Sequence, residues 1–402
     1  MRTFTFKGLF LTAVFMLLGC LTIQAADDDL ITKQITIKLD EAGTLPNKIA
    51  SSEMYKITNL KITGEINGTD WKMIRDMAGS DYSGNSTDGM LFLLDLSEAK
   101  IVEGGVDYFN HDSCCTSNDV IGNRAFYGCS RLTSLTLPSS ITTIGDYAFQ
   151  RCSRLTSLNL PASITEIGDY AFYGCSRLTS LNLPAGITEI SEGTFLDCSR
   201  LTSLNLPASI TKIGVYAFKG CSRLTSLNLP ASITEIGWGA FEGCSELTSL
   251  NIPVGITTIG SNTFSGCSGL TSLNLPAGIT KICSYAFYHC SRLTSLNLPA
   301  GITEIGYNAF YGCSGLASIY VYAEKVPKMD DYVFTNCDAK KCILYVPKGT
   351  YDDYWLSDFG NYFENIVEFD ATGIDKTATS TDVKEVSRYS VNGQRLVGPT
   401  KG

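Results

Sequence analysis

The sequence predicts an α/β repeat solenoid: a right-handed superhelix with one parallel β-sheet face and short strand or 3-10 turns opposite. Three observations predict it. Phenylalanine falls at positions 126, 149, 172, 195, 218, 241, 264, 287 and 310, always 23 residues apart, and Phe334 follows one residue late. Each period carries an L-x-x-L-x-L segment closed by proline, and then two isoleucines three residues apart. A unit this short cannot offset its own backbone entropy by burying its few apolar side chains, so the units must stack and share a core.

Each element of the unit has a reason. Leu132, Leu135 and Leu137 alternate as a short strand does when one face turns inward. Pro138 ends the strand, because proline cannot donate to a ladder, and eight of the twelve prolines occupy this column. Ile141 and Ile144 return to the core from the other side. Gly145 is expected to turn the chain with a positive φ. Ala148 and Phe149 then fill the interior from a short turn. At about 4.8 Å per strand, ten such turns make a rod or shallow arc roughly 45–50 Å long.

The pattern L-x-x-L-x-L-P-x-x-I-x-x-I-G-x-x-A-F-x-x-C resembles the bacterial leucine-rich repeat of the BspA and Treponema pallidum type. The resemblance covers residues 120–345. It implies a leucine-rich-repeat solenoid on a cell-surface or secreted bacterial protein that engages macromolecules of a host or neighbouring cell, as an adhesin does. Departures are local: Ser191 and Cys283 stand in the glycine column, and Leu316–Tyr322 is a degenerate strand without its proline.

The flanks divide by composition. Residues 1–26 read as a signal peptide, with Arg2 and Lys7 before the apolar run Leu9–Ile23. Leu17-Leu18-Gly19-Cys20 resembles a lipobox, which would place a lipid anchor on Cys20; cleavage near Ala25 or Ala26 is the other reading. Residues 27–119 form an N-terminal cap: a strand at 57–66, a helix at 69–78 with Trp71, Ile74 and Met77 at helical spacing, and a strand at 90–101. After the array, Cys342–Pro347 is a last strand. Residues 346–369 form a C-terminal cap with an aromatic-rich helix over 350–363 and a strand over 365–369. Residues 370–402 read as a polar linker to Ser387, followed by a tail, Arg388–Arg395, resembling the start of C-terminal tails on secreted Bacteroidales proteins and ending short of their usual strands.

Charge and chemistry narrow the function. A net charge of −9 argues against nucleic acid and anionic lipid as partners. The two histidines, His111 and His289, lie in no motif, and no phosphate loop, H-E-x-x-H or G-x-S-x-G occurs. A nucleophile pair at His289-Cys290 is disfavoured, since adjacent side chains in a turn rarely converge. No catalytic residue, cofactor or metal is assigned. Ten of the fifteen cysteines form a repeat column from Cys129 to Cys337; side chains pointing one way make poor disulfides, so this is a ladder of buried free thiols. Cys114 and Cys115 stand outside it.

Binding is therefore expected on outward columns. Asn159, Asn182, Asn205 and Asn228 face out between buried leucines, either as a self-satisfying amide ladder or as a hydrogen-bonding face. Arg131, Arg154, Arg177, Arg200 and Arg223 form a like-charged column that an anionic partner would relieve, or a solvated edge. Trp238 is the aromatic position best placed to anchor a partner. The sequence thus points to an exported, non-enzymatic, monomeric protein, on the outer-membrane surface or extracellular, that recognises extracellular protein or glycan. The alternatives are a glycan-capture component of nutrient uptake and an enzyme inhibitor.

Overall fold

The computed structural model describes residues 29–110, 114–371, 385–389 and 395–396; the leader, Cys20, His111 and most of the tail lie outside them. Equal repeat length decides the architecture. Every residue meets its own counterpart one turn on, as where Ser134, Leu135 and Thr136 pair in parallel with Ser157, Leu158 and Asn159. The result is a parallel β-solenoid of about 14 turns with little helix. Its core consists of columns: the leucines, the isoleucines and a file of buried phenylalanine rings stacked nearly parallel.

The phenylalanine file and the strands prefer different pitches. Hydrogen-bonded strands settle at roughly 4.8 Å, whereas ring centroids are 5.2 Å apart at Phe126–Phe149 and 5.7 Å at Phe172–Phe195. From Phe172 to Phe264 the rings stand 5.5–5.7 Å apart per turn, and the strand ladder of this face is interrupted. A seven-stranded sheet ends at Ser203–Asn205, and pairing resumes only between Ser249–Asn251 and Ser272–Asn274. Ser226-Leu227-Asn228 belongs to no strand, although its sequence is the same as its neighbours'.

Continuity comes instead from the A-F turn. Arg124, Phe126 and Gly128 donate their amides to Asp146, Ala148 and Gln150 of the next turn at 2.8, 2.7 and 2.8 Å. On the strand face, Thr179 reaches Thr156 at 3.4 Å. Left-handed residues make this possible: φ is 57° at Arg124, 56° at Tyr147 and 60° at Arg151. These positions recur in every turn and aim alternate N–H groups along the axis. The expectation for Gly145 is corrected here. It has no positive φ; a Cβ there would stand 2.7 Å from the backbone nitrogen of Asn123. Close approach of successive turns demands that glycine. At Ser191, in the same column, the side-chain Oγ donates to the Ile167 carbonyl at 2.7 Å. At Cys283 the backbone bond to Ile259 persists at 2.9 Å.

The N-terminal segment continues the sheet, Ile35–Leu39 pairing with Asn59–Ile66, that strand with Leu93–Ile101, and the last with Ser134–Thr136. Helix Gly68–Met77 starts at a capping box of Asn67 and Asp70. Trp71, Ile74 and Met77 are buried, as their spacing predicts. The N-terminal segment, through this helix and Tyr108, also supplies what the first array turn lacks, a preceding turn. Tyr108 Oη donates to the Asn123 carbonyl at 2.9 Å, and Trp71 Nε1 to that of Ala125 at 2.9 Å. Arg75, wholly buried, donates to Ala125 at 3.0 Å and Tyr127 at 3.1 Å. Asn123, Ala125 and Tyr127 hold the register of Asp146, Ala148 and Gln150, so three side chains replace three amides.

At the other end, the helix expected over 350–363 is only Tyr351–Trp355. Ser357 Oγ takes the Tyr354 carbonyl at 2.7 Å, and Gly360 approaches so closely that a Cβ would lie 2.0 Å from the Trp355 carbonyl. The chain therefore leaves the helix and folds Phe359, Tyr362 and Phe363 onto Phe334, the last ring of the file. Asn365–Phe369 is a strand as expected, and Glu385–Tyr389 pairs with it antiparallel, so the expected linker to Ser387 already contains part of a strand.

Candidate recognition surface

The sheet face repeats one polar rung. In the turn Ser180-Leu181-Asn182 the leucine is 2% exposed while serine and asparagine face solvent. Asn159, Asn182 and Asn205 stand in direct register. Asn228 is exposed too, in the unpaired turn. Among the described residues no hydrogen bond joins the amide side chains, so the face offers its donors and acceptors outward. Where pairing lapses, a groove of about 340 Å³ opens, lined by Ser226, Asn228, Ser249, Asn251, Ser272 and Asn274.

Three residues before each strand runs the arginine column. Arg131 and Arg154 are half-buried; Arg177, Arg200 and Arg223 are exposed. Trp238 is 65% exposed on the turn edge. It stands one residue before the left-handed position, in the register of Asp146, as does Tyr307. Tyr147, Tyr170, Tyr216 and Tyr285 occupy the left-handed position itself. Tyr147 and Tyr170 stack at 5.2 Å, and the rings of Tyr170 and Tyr216 lie over Gly193 and Gly239, where a side chain would collide. The column thus brings Trp238 beside Tyr216, while the asparagines and arginines form separate files. Sequence reasoning missed this left-handed column; its signal was Gly193, Gly239, Asn262 and Asn308 in the tyrosine register.

Six copies of the family described as "BspA type Leucine rich repeat region" match residues 119–247 and 211–341, more than half of the chain. The chain belongs to this family. Among solved structures, the BspA-type chain is similar to the Treponema pallidum leucine-rich repeat protein, with 36% identity over 40% of this chain and 78% of that one, TM-score 0.39. It is also similar to a leucine-rich repeat protein from Bacteroides ovatus, with 22% identity over 83% of this chain and 92% of that one, TM-score 0.47. A third, from Eubacterium ventriosum, shares 20% identity over 80% of this chain and 74% of that one, TM-score 0.40. No curated protein matches.

The reactive side chains of this BspA-type array are turned inward. Its column cysteines are free and, except for half-buried Cys337, fully buried. Burial pushes the thiols up, Cys129 to about 11 and Cys290 to about 12. His289 and Cys290 do not form a pair: the thiol points to the Phe264 carbonyl at 3.1 Å, while the imidazole packs edge-on against Tyr288 and Tyr311. His289 instead occupies a left-handed position, φ 57°. Cys114 is buried, and exposed Cys115 donates to Asp107 at 2.8 Å. Among the described residues no group of three or more His, Cys, Asp or Glu side chains converges as metal ligands, and no helix is long and apolar enough to cross a membrane.

Proposed function

We propose that this chain is an exported, adhesin-like binding protein that recognises extracellular protein or glycan of a host or neighbouring cell. The observation that carries the reading is the repeated Ser-x-Asn rung: polar side chains presented in register, turn after turn, on a face whose leucines are wholly occupied by the core. Among the described residues these amides make no hydrogen bond to one another, and solenoids place recognition on extended surfaces rather than in pockets. Asn159, Asn182, Asn205 and Asn228 are its hydrogen-bonding groups, and Trp238 is a lateral anchor. Domain roles follow: residues 120–345 present the surface, and 27–119 and 346–369 close its ends.

A second reading, capture of soluble oligosaccharide, is favoured by the groove at Ser226–Asn274, whose hydroxyl and amide lining suits neutral sugar. A combined glycan and extracellular-matrix protein array tests both. We expect binding that falls in an Asn182→Ala/Asn205→Ala variant. Silence against every probe would sink the recognition role, and binding of short neutral oligosaccharide lost in Asn251→Ala would favour capture.

A further inference from the structure

Electrostatics draw attention to one basic column. Several lysines of the array pair across turns, Lys212 with Glu235 at 3.3 Å, Lys219 with Glu242 at 3.0 Å and Lys281 with Glu304 at 2.9 Å, while Asp146, Asp169 and Glu192 stack as a like-charged file of the opposite sign. The arginines differ. Arg131, Arg154, Arg177, Arg200 and Arg223 follow one another on five consecutive turns, and among the described residues none takes part in an ion pair. Even Glu246, on the next rung after Arg223, makes none. Like charges at turn spacing repel, and solvent screens them only in part. On a chain of net charge −9 this file is a local basic ridge on an acidic body.

We infer that the ridge is a binding site for an anionic polysaccharide laid along the solenoid axis. This rests on the recognition role proposed above and names its ligand class. Three features select that class. The ridge is one side chain wide, so it fits a narrow strand better than a duplex, which spreads one charge per about 1.7 Å over a broad surface. The guanidinium fork matches the paired oxygens of sulfate and carboxylate groups. Ser-Asn rungs begin three residues downstream of Arg154, Arg177, Arg200 and Arg223, and a Ser-Thr rung downstream of Arg131, offering hydrogen bonds to the hydroxyl groups that a polysaccharide carries between its charges. Arg177, Arg200 and Arg223, all exposed, form the accessible end of the file.

The test uses the full chain on surfaces bearing heparin, hyaluronan, neutral dextran or duplex DNA, at increasing salt. We expect salt-sensitive binding to heparin or hyaluronan and none to dextran. The Arg177→Ala/Arg200→Ala/Arg223→Ala variant should bind about tenfold more weakly, as three exposed charge contacts imply. Glu246→Arg, which adds a sixth rung, should bind about two- to threefold more tightly. All three positions are on the surface, and an unchanged circular dichroism spectrum establishes that the variants fold. Failure of both polysaccharides to bind, equal binding by the triple variant, or tighter binding to DNA than to heparin would each overturn the assignment. If the ridge assignment fails while matrix-protein binding on the array survives, the recognition role stands without it.

Discussion

Cys152 donates its thiol hydrogen to the carbonyl of Phe126, 3.1 Å away in the preceding turn. The same carbonyl already accepts the amide of Cys129 at 3.0 Å. Each later column thiol repeats the contact, as Cys175 does with Phe149 and Cys244 with Phe218. The cysteine column is therefore more than small apolar filler: it stitches each turn to the one before, opposite in sense to the amides of the A-F turn.

Removing one stitch should be measurable. Cys175→Ala deletes a donor and leaves a small void, and we expect a loss of about 1–3 kcal/mol. Cys115→Ala, at an exposed site, should change stability by no more than about 0.5 kcal/mol. Urea denaturation of the two variants reads the difference; equal midpoints would refute the stitch.

Thiol chemistry in the folded protein should begin at exposed Cys115, with half-buried Cys283 and Cys337 following. A colourless-to-coloured disulfide reagent is expected to titrate Cys115 first, at a rate held down by its bond to Asp107, which raises the thiol's pKa. The fully buried column thiols, Cys129 to Cys313, should respond only after denaturant is added. Rapid modification of the whole column under native conditions would contradict their burial.

The same burial sets an alkaline limit. A thiol whose pKa is raised on folding leaves stability intact below its unfolded value of 9.0, because both states then keep the proton. Above that pH the unfolded chain loses protons that the folded chain retains, so stability declines as pH rises through about 11 for Cys129 and about 12 for Cys290. Denaturation midpoints should be level near neutrality and fall steeply beyond pH 9. Replacing several column cysteines with valine should flatten that fall.

Two glycines should answer alanine differently. Gly145→Ala sets a methyl 2.4 Å from Asn123 Oδ1 and 2.7 Å from its backbone nitrogen, and we expect a cost of about 1–3 kcal/mol. Gly301 has its nearest neighbours at 3.7 Å and no positive φ, so Gly301→Ala should be neutral or stabilising by up to about 1 kcal/mol. Thermal unfolding of both tests the distinction between close approach and conformational need.

Loss of Arg75 should fray the array from its start. Arg75→Ala strips donors from the carbonyls of Arg124, Ala125, Tyr127 and Asp81, and a cost of about 3–5 kcal/mol is expected. Hydrogen exchange should quicken in the first turns before the centre. Uniform exchange along the chain would show that the cap does no local work.

The sequence makes the interior columns legible because a constant period leaves Leu135, Ile144 and Phe149 only one way to meet their counterparts. It hides the left-handed positions because tyrosine occupies most of them, a residue that local propensity would never place there. Gly145 misleads for a related reason: one residue type serves both tight contact and unusual φ. The lapse at Ser226–Asn228 has no local signature, since the same Ser-Leu-Asn triplet pairs as a strand in other turns. Outward positions were placed correctly by alternation, but their roles do not follow from folding, because Asn182 and Arg200 carry no share of the core.

The three cap side chains that donate to the carbonyls of Asn123, Ala125 and Tyr127 stand in for a turn that could equally be another repeat. Every internal junction therefore has interchangeable ends, and excision or duplication of one whole 23-residue unit restores the same fit on both sides. Reach becomes an inherited quantity set by copy number, adjustable one rung at a time by in-frame recombination, without redesign of either terminus.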